Sequence, residues 1–270
     1  FGKFGFPRLG GAGAGYATAV TFWFVLFLCL FLCFRLEKIR AYRLFRRWPA
    51  PSWRSLKELL SVGVPIGLSV FFEASIFSLV TLLMGYLFDT TTIAAHQIAS
   101  SFGHMMFMIP LSMSMAITIL VGYEAGAGRY RDAGQYGAVG VASALGVAAA
   151  AAVLLYFNRP LVASWYTDAP EVARLAQQFL IFLTVFQLSD AAQATLQGVL
   201  RGYKDVKIPF LTALVSYWLI GIPAGYALSV GAAGPFGFWI GITLGLTCAA
   251  AGFAWRLRVV SRRRPAPQEP

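Results

Sequence analysis

Two acidic residues lie within long apolar stretches of the sequence, where a charged side chain is costly. Asp190 is deep inside the segment 177–207, and Glu73 is near the middle of an apolar stretch that begins near residue 59. Lipid exposure of such a carboxylate costs about 3 kcal/mol even on lenient insertion scales, so these groups usually face a bundle interior or a water-filled cavity. Such carboxylates can exchange protons and small cations. The alternative for Asp190 is a hydrogen bond that only joins it to a neighbouring helix.

The helix predicted around Asp190 has one polar side. At 100° per residue, a stripe roughly 120° wide collects five polar side chains while the rest of the circumference stays mostly apolar. These side chains are Gln187, Asp190, Gln193, Gln197 and Arg201. Around Glu73, the hydroxyl of Ser69 lies one turn earlier on the same side of its helix. We therefore predict two groups of candidate ion- or substrate-binding side chains, one on each helix: Asp190, Gln187 and Gln193, and separately Glu73 and Ser69.

The composition is that of a polytopic membrane protein. The 270 residues are 58% hydrophobic and 12% charged, and the mean hydropathy is +0.68, which excludes an ordinary soluble domain and a disordered chain. The net charge of +11 comes from basic residues in short loops between apolar segments. No nucleic-acid partner is expected, because a readable basic face is missing. The three cysteines lie in apolar segments without metal-ligand spacing, and we expect them to be small buried side chains.

Seven apolar segments are long enough to cross a bilayer, since about 20 residues at a 1.5 Å rise span the hydrocarbon core. Their predicted bounds are 12–34, 59–88, 93–121, 137–157, 175–200, 208–230 and 236–257. The fold class predicted is therefore an all-α, polytopic transmembrane bundle. Lys and Arg number eighteen in one set of alternate loops and termini and four in the other. This asymmetry predicts a cytoplasmic C-terminus and an outside start, and the start has no signal peptide, so we expect a fragment.

The third predicted span carries residues with two interpretations each. It holds five of the six methionines, whose flexible side chains suit a promiscuous pocket, although ordinary packing is the commoner role. His96 and His104 in the same span could relay protons or simply pack. The basic stretch 35–58 either lies along the cytoplasmic interface or only connects two halves. No nucleophile, base and orienting partner are grouped in the sequence, so we expect no enzyme.

Several stretches taken together resemble the multidrug and toxic compound extrusion (MATE) family, in its NorM-like branch. They are PIGLSVFFEASIFSLVTLLMGYL, IAAHQIA, FMIPLSMSMAITILVGYEAGAG, FQLSDAAQATLQGVLRGYKDVKIP, SYWLIGIPAGYAL and GFWIGITLGL. They follow one another in the family's order over nearly the whole chain. The resemblance implies four regions: the last helix of a first lobe (1–34), a cytoplasmic basic linker between the lobes (35–58), a six-helix second lobe (59–257) and a cytoplasmic tail (258–270).

The same resemblance implies a function and assigns residues to it. A MATE protein is a secondary active antiporter of the inner (plasma) membrane, and it exports amphipathic, often cationic drugs by alternating access as Na+ or H+ moves inward. Glu73 matches the family's seventh-helix carboxylate and Asp190 its tenth-helix carboxylate, both associated with cation coupling and both candidate Na+ ligands. Phe186 stands where some relatives have tyrosine. The resemblance implies no cofactor besides the coupling ion, and it implies the missing N-terminal half as a partner.

Two other functions remain alternatives at this point. A flippase of the same superfamily would move lipid-linked saccharides through a similar large cavity. Its anionic substrates would favour Arg or Lys at membrane depth, and we find none there in the sequence. A seven-helix receptor would also have an outside N-terminus. Five further spans upstream of Phe1 would favour the transporter, whereas a start codon with a signal sequence would favour the receptor.

Overall fold

The computed structural model describes residues 10–36 and 52–263, and within these ranges the regular structure is helical throughout. The helices are α1 (Gly10–Arg35), α2 (Trp53–Leu87), α3 (Thr90–Gly126), α4 (Tyr130–Ser164), α5 (Pro170–Gly202), α6 (Lys207–Leu214), α7 (Ile222–Val230) and α8 (Phe236–Arg263), with a π-helical segment (Val215–Gly221) between α6 and α7. Within the described ranges, seven spans are long and apolar enough to cross a membrane, with α6, the π-helical segment and α7 forming one of them. The predicted fold class and number of spans are confirmed.

The chain divides into two compact units, Phe1–Leu56 and Lys57–Pro270. In the first unit, α1 exposes nearly all of its large side chains, since one helix has no core of its own. The expected burial of the cysteines is therefore wrong: Cys29 on α1 is exposed, and Cys33 and Cys248 are partly exposed. Most of the predicted linker (37–51) and the end of the predicted tail (264–270) lie outside the described residues.

Helix α5 is the central element of the second unit and packs against α3, α4 and α8. Small residues allow its backbone to approach α3 closely. A Cβ atom added to Gly198 would lie 2.5 Å from the Oγ of Ser114. The hydroxyl of Ser114 donates to the carbonyl of Ala194 at 2.6 Å, and the hydroxyl of Thr118 donates to the carbonyl of Gly198 at 2.9 Å. Close approach and interhelical hydrogen bonds are the interactions that hold membrane helices together.

The π-helical segment has a cause in the sequence that follows it. Pro223 has no N–H, and its ring would clash with the carbonyl of Leu219 in a regular α-helix. A wider π turn before the proline relieves this clash. Glycines of α8 let the segment pack closely, since a Cβ atom on Gly245 would lie 3.0 Å from the carbonyl oxygen of Ser216.

Helix α2 is attached to its unit mainly by side chains, because its backbone packs closely against no other helix of the described residues. The indole N–H of Trp218, on the π-helical segment, donates to the carbonyl of Phe72 at 3.4 Å, and the two rings meet edge to face at 5.8 Å. Phe77 makes edge contacts with Phe186 and His104. The helix runs without interruption through its internal proline at position 65. These contacts fix the level at which α2 meets the rest of the lobe.

Candidate functional site

The structure places both predicted carboxylates inside membrane-crossing helices of the second unit. Asp190, in the middle of α5, is only 4% exposed, and Glu73 on α2 is partly buried. The charge of Glu73 acts on Asp190, and Glu73 itself interacts electrostatically with Arg201. In the described part of the chain, however, neither acid has a basic nitrogen within 4.0 Å. Neither carboxylate is therefore neutralised by a direct ion pair with a described basic residue.

The polar stripe of α5 is buried in the lobe. Gln187, Gln193 and Gln197 are between 0% and 5% exposed. The Oε1 atom of Gln197 accepts a hydrogen bond from Nη2 of Arg201 at 2.6 Å. By contrast, Oε1 of Gln187 and both amide atoms of Gln193 have no hydrogen-bond partner among the described residues. An unpartnered buried polar group costs about 1–3 kcal/mol. These amides are therefore suited to bind a ligand that supplies the missing hydrogen-bond partner.

The two remaining predicted residues have roles of different kinds. The hydroxyl of Ser69 is buried and donates to the carbonyl of Pro65 in its own helix at 2.8 Å. Its hydrogen is therefore already used, and only its oxygen lone pairs remain for a ligand. Phe186, one turn before Asp190, packs edge to face against Phe77 at 6.0 Å and Trp239 at 5.6 Å. It provides an apolar wall beside Asp190 and links α2 to α8.

Sequence reasoning missed one residue of this region, Tyr217. It lies on the π-helical segment, is 2% exposed, and its hydroxyl has no hydrogen-bond partner within the described ranges. It interacts electrostatically with Glu73, Asp190 and Arg201. The neighbouring Trp218 contacts α2 one residue before Glu73, as described above. A proline later in the same span was the only signal in the sequence, and it indicates an irregular helix rather than a particular hydroxyl.

His96 has a fixed structural role near one end of the lobe. Its Nδ1 lies 3.2 Å from the indole Nε1 of Trp239, and its Nε2 faces the hydroxyls of Thr81 at 3.3 Å and Ser100 at 3.4 Å. An indole N–H can only donate, so Nδ1 must accept and the ring must be neutral with its hydrogen on Nε2. His96 thus joins α2, α3 and α8. Of the two interpretations given above, packing is the one that these contacts favour.

Three of the five methionines of α3 have largely exposed side chains. Met105, Met108 and Met115 are 53–60% exposed, so this part of the cluster lies on the lobe's surface. No group of three or more His, Cys, Asp or Glu side chains with metal-binding geometry occurs in the described residues. The predicted ion ligands are accordingly two carboxylates accompanied by neutral oxygens.

Comparisons with known proteins give a consistent result. The family model described as MatE matches residues 65–227. A protein called probable multidrug resistance protein NorM from Halalkalibacterium halodurans is 50% identical over 97% of this chain and 57% of its own length. A protein of the same description from Bacillus subtilis is 47% identical over 97% of this chain and 58% of its own length. The chain thus spans less than two thirds of the length of these relatives.

Solved structures resemble the fold at lower sequence identity. The crystal structure of the eukaryotic MATE transporter AtDTX14 has a TM-score of 0.86 at 22% identity, and the alignment covers 97% of this chain and 59% of that one. A multidrug resistance MATE family transporter of the MOP superfamily, in an outward-facing conformation, has a TM-score of 0.83 at 20% identity, covering 95% and 58%. These similarities describe the architecture alone.

Proposed function

The chain belongs to the MatE family, and from this premise we propose that it is the C-terminal part of a secondary active multidrug exporter. The relatives called probable multidrug resistance proteins support drugs as the substrate class, and the family resemblance implies amphipathic, often cationic compounds. The seven apolar helices support a multi-pass membrane protein. The ion that drives export is Na+ or H+, moving inward through the same lobe.

The observation that carries this proposal is the pair of acids, Glu73 and Asp190, inside the membrane-crossing part of the lobe without a direct ion pair among the described residues. A buried carboxylate is costly to keep charged unless a proton, a metal cation or a cationic ligand compensates it. These three partners therefore compete for the same negative charge. Arrival of the coupling ion from outside neutralises the acids, weakens binding of the cationic drug and favours its release to the outside.

The surrounding side chains support a site for an ion or substrate. Oε1 of Gln187 and Oε1 of Gln193 have no partner in the described structure and can accept hydrogen bonds or ligate a cation. Ser69 lies one turn before Glu73 on the same helix face, and its oxygen can accept a hydrogen bond or ligate a cation. Phe186 contributes an apolar surface next to Asp190, which suits the apolar part of an amphipathic compound. Na+ would be held by Glu73 and Asp190.

The proposed architecture follows the family pattern. The protein lies in the plasma membrane. Residues 1–34 form the last helix of a first lobe, 35–58 form a cytoplasmic linker, 59–257 form the second lobe, and 258–270 form a cytoplasmic tail. The charge asymmetry of the loops supports this orientation. The remaining length of the relatives corresponds to the rest of the first lobe. Because one lobe forms only one wall of a cavity between lobes, the 270 residues alone are expected not to export drugs.

The test is ion-driven export by the longer protein that carries this chain, reconstituted in vesicles with a fluorescent cationic dye as substrate. Asp190→Asn and Glu73→Gln are expected to abolish the dependence of export on the Na+ or H+ gradient while the protein still inserts and folds. Glu171→Gln is the matched control, because Glu171 is an exposed acid in the first turn of the same α5. Undiminished ion-driven export by Asp190→Asn would refute the proposal. Movement of lipid-linked saccharides instead of dyes would identify the flippase alternative.

A further inference from the structure

A groove between α4, α5 and α8 has no part in the proposed ion site. Its volume is about 460 Å³, and we call it the α4–α5–α8 groove. Its lining residues are mostly small or apolar, and the polar ones are few. They include Gly134, Val141, Ala142, Leu196, Leu257 and Arg258.

The groove opens at one end of the bundle and extends into the span. The start of α4 and the ends of α5 and α8 meet at its mouth, where Tyr203, Arg258 and Ser261 lie. Along α4, its lining extends from Gly134 to Leu145, which are eleven residues apart or about 16 Å at 1.5 Å per residue. This length is about half of the roughly 30 Å hydrocarbon core of a bilayer. The groove therefore has the depth of a single leaflet.

The end of the bundle at which the groove opens has an excess of unpaired positive charge, and Arg258 lines the groove itself. The acidic residues at these ends of α3, α4 and α5 are in ion pairs: Glu124 and Asp132 with Arg129, and Asp205 with Arg256 at 2.6 Å. Among the described residues there, the exposed basic side chains left without an ion pair are Arg131, Lys204, Lys207 and Arg258. At the opposite end of the same helices, Asp89, Asp168 and Glu171 outnumber Arg159 and Arg174.

We propose that the α4–α5–α8 groove binds an anionic phospholipid of the leaflet on this side of the membrane. One acyl chain occupies the apolar part between Val141, Leu196 and Leu257, and the phosphate lies at the mouth beside Arg258 and Ser261. At this depth the surrounding medium is acyl chain rather than water, and the unpaired cations at the mouth select a negative headgroup over a zwitterionic one. This inference is independent of the proposed export function.

The test uses native mass spectrometry on the purified chain in detergent, titrated with phosphatidylglycerol or with phosphatidylcholine of identical acyl chains. Ala142→Trp places a large ring in the groove. Ala150→Trp is its matched control, because Ala150 is an exposed alanine further along α4 that does not line the groove. Arg258→Gln removes the unpaired cation that lines the groove. Arg174→Gln is its control, with the same charge change on an exposed side chain at the opposite end.

The wild-type chain is expected to retain phosphatidylglycerol at least fivefold more than phosphatidylcholine. Ala142→Trp should lower retention of both lipids at least fivefold, and Arg258→Gln should lower the preference for phosphatidylglycerol over phosphatidylcholine, with both controls unchanged. If Ala142→Trp fails to fold by circular dichroism, Ala138→Leu serves for the same comparison.

Four results would overturn the inference. The first is equal retention of the two lipids by the wild-type chain, and the second is unchanged retention in the folded groove-filling variant. The third is a dimer that dissociates when the groove is filled, since a second copy of the chain would then be its occupant. Loss of retention in the longer protein carrying this chain would likewise contradict it, because another segment would then cover the groove.

Discussion

The crossing of α3 and α5 can be tested with one added methyl group. In Gly198→Ala, the new Cβ atom would lie 2.5 Å from Oγ of Ser114, 2.7 Å from its carbonyl oxygen and 3.2 Å from its Cα. Two of these three neighbours are backbone atoms, so a change of side-chain rotamer cannot remove the clash. The helices must separate, and the hydrogen bonds that Ser114 and Thr118 donate to α5 must lengthen.

The expected loss of stability combines two costs and one gain. Overpacking of a close contact typically costs about 1–3 kcal/mol. Interhelical hydrogen bonds in membranes contribute about 0.6 kcal/mol each on average. Replacing glycine by alanine within a helix recovers roughly 0.5–1 kcal/mol. The Gly198→Ala variant should therefore unfold with a free energy about 2 kcal/mol lower than the wild type.

The measurement is reversible unfolding in mixed micelles with increasing SDS, followed by circular dichroism. Gly146→Ala is the matched control: it makes the same chemical change inside α4, where a Cβ atom would meet nothing within 4 Å. This control should be neutral or slightly stabilised, because only the gain in helix propensity applies to it. If Gly198→Ala is as stable as Gly146→Ala, the close packing of α3 against α5 is refuted.

Three further predictions concern single contacts. Tyr217→Phe removes a buried hydroxyl that has no partner among the described residues, so in the absence of ligand the variant should be about 1 kcal/mol more stable; a loss of stability in the same unfolding assay would reveal a hidden partner. Trp239→Phe leaves Nδ1 of His96 without its donor and should lower the unfolding free energy by about 1–2 kcal/mol, whereas an unchanged value would contradict the assigned hydrogen bond. The hydroxyl of Thr92 and, with a smaller effect, its backbone N–H donate hydrogen bonds to the Asp89 carboxylate and lower the pKa of Asp89. The carboxylate thus stabilises the fold above its unfolded-state pKa of about 3.9, and this contribution disappears as pH falls through the lower folded-state value. The melting temperature of the wild type should therefore fall with pH below about 4, while that of Asp89→Asn should lack this component; identical pH profiles would refute the cap.

The spans and their number could be predicted because apolar length is a local property of the sequence. The burial of Asp190 followed from the same property, since a carboxylate in an apolar helix must avoid lipid. The position of Glu73 beside it could not be worked out from spacing, because it depends on how α2 is attached through Phe72 and Phe77. The family resemblance, rather than the chemistry of the residues, associated the two acids with one function.

Other features were beyond a reading of the sequence for physical reasons. The π-helical segment depends on the fit between Pro223 and the glycines of α8, which are distant in the sequence. The neutral state of His96 depends on a single donor, Trp239, that is 143 residues away. The expected burial of Cys29 was wrong because an apolar residue in a membrane helix can face lipid as well as protein, and hydropathy does not distinguish these two surroundings.

The attachment of α2 has a consequence for the two acids. Asp190 is carried by the central helix of the lobe, which packs closely against three others, whereas Glu73 is carried by a helix that is attached mainly through side chains, including the hydrogen bonds of Trp218 and Thr81. The two carboxylates are thus carried by helices that differ in how firmly they are packed. Any change in their separation is expected to come from displacement of α2, with α5 as the stationary reference. The distance between the acids can then change while the core around α5 stays intact.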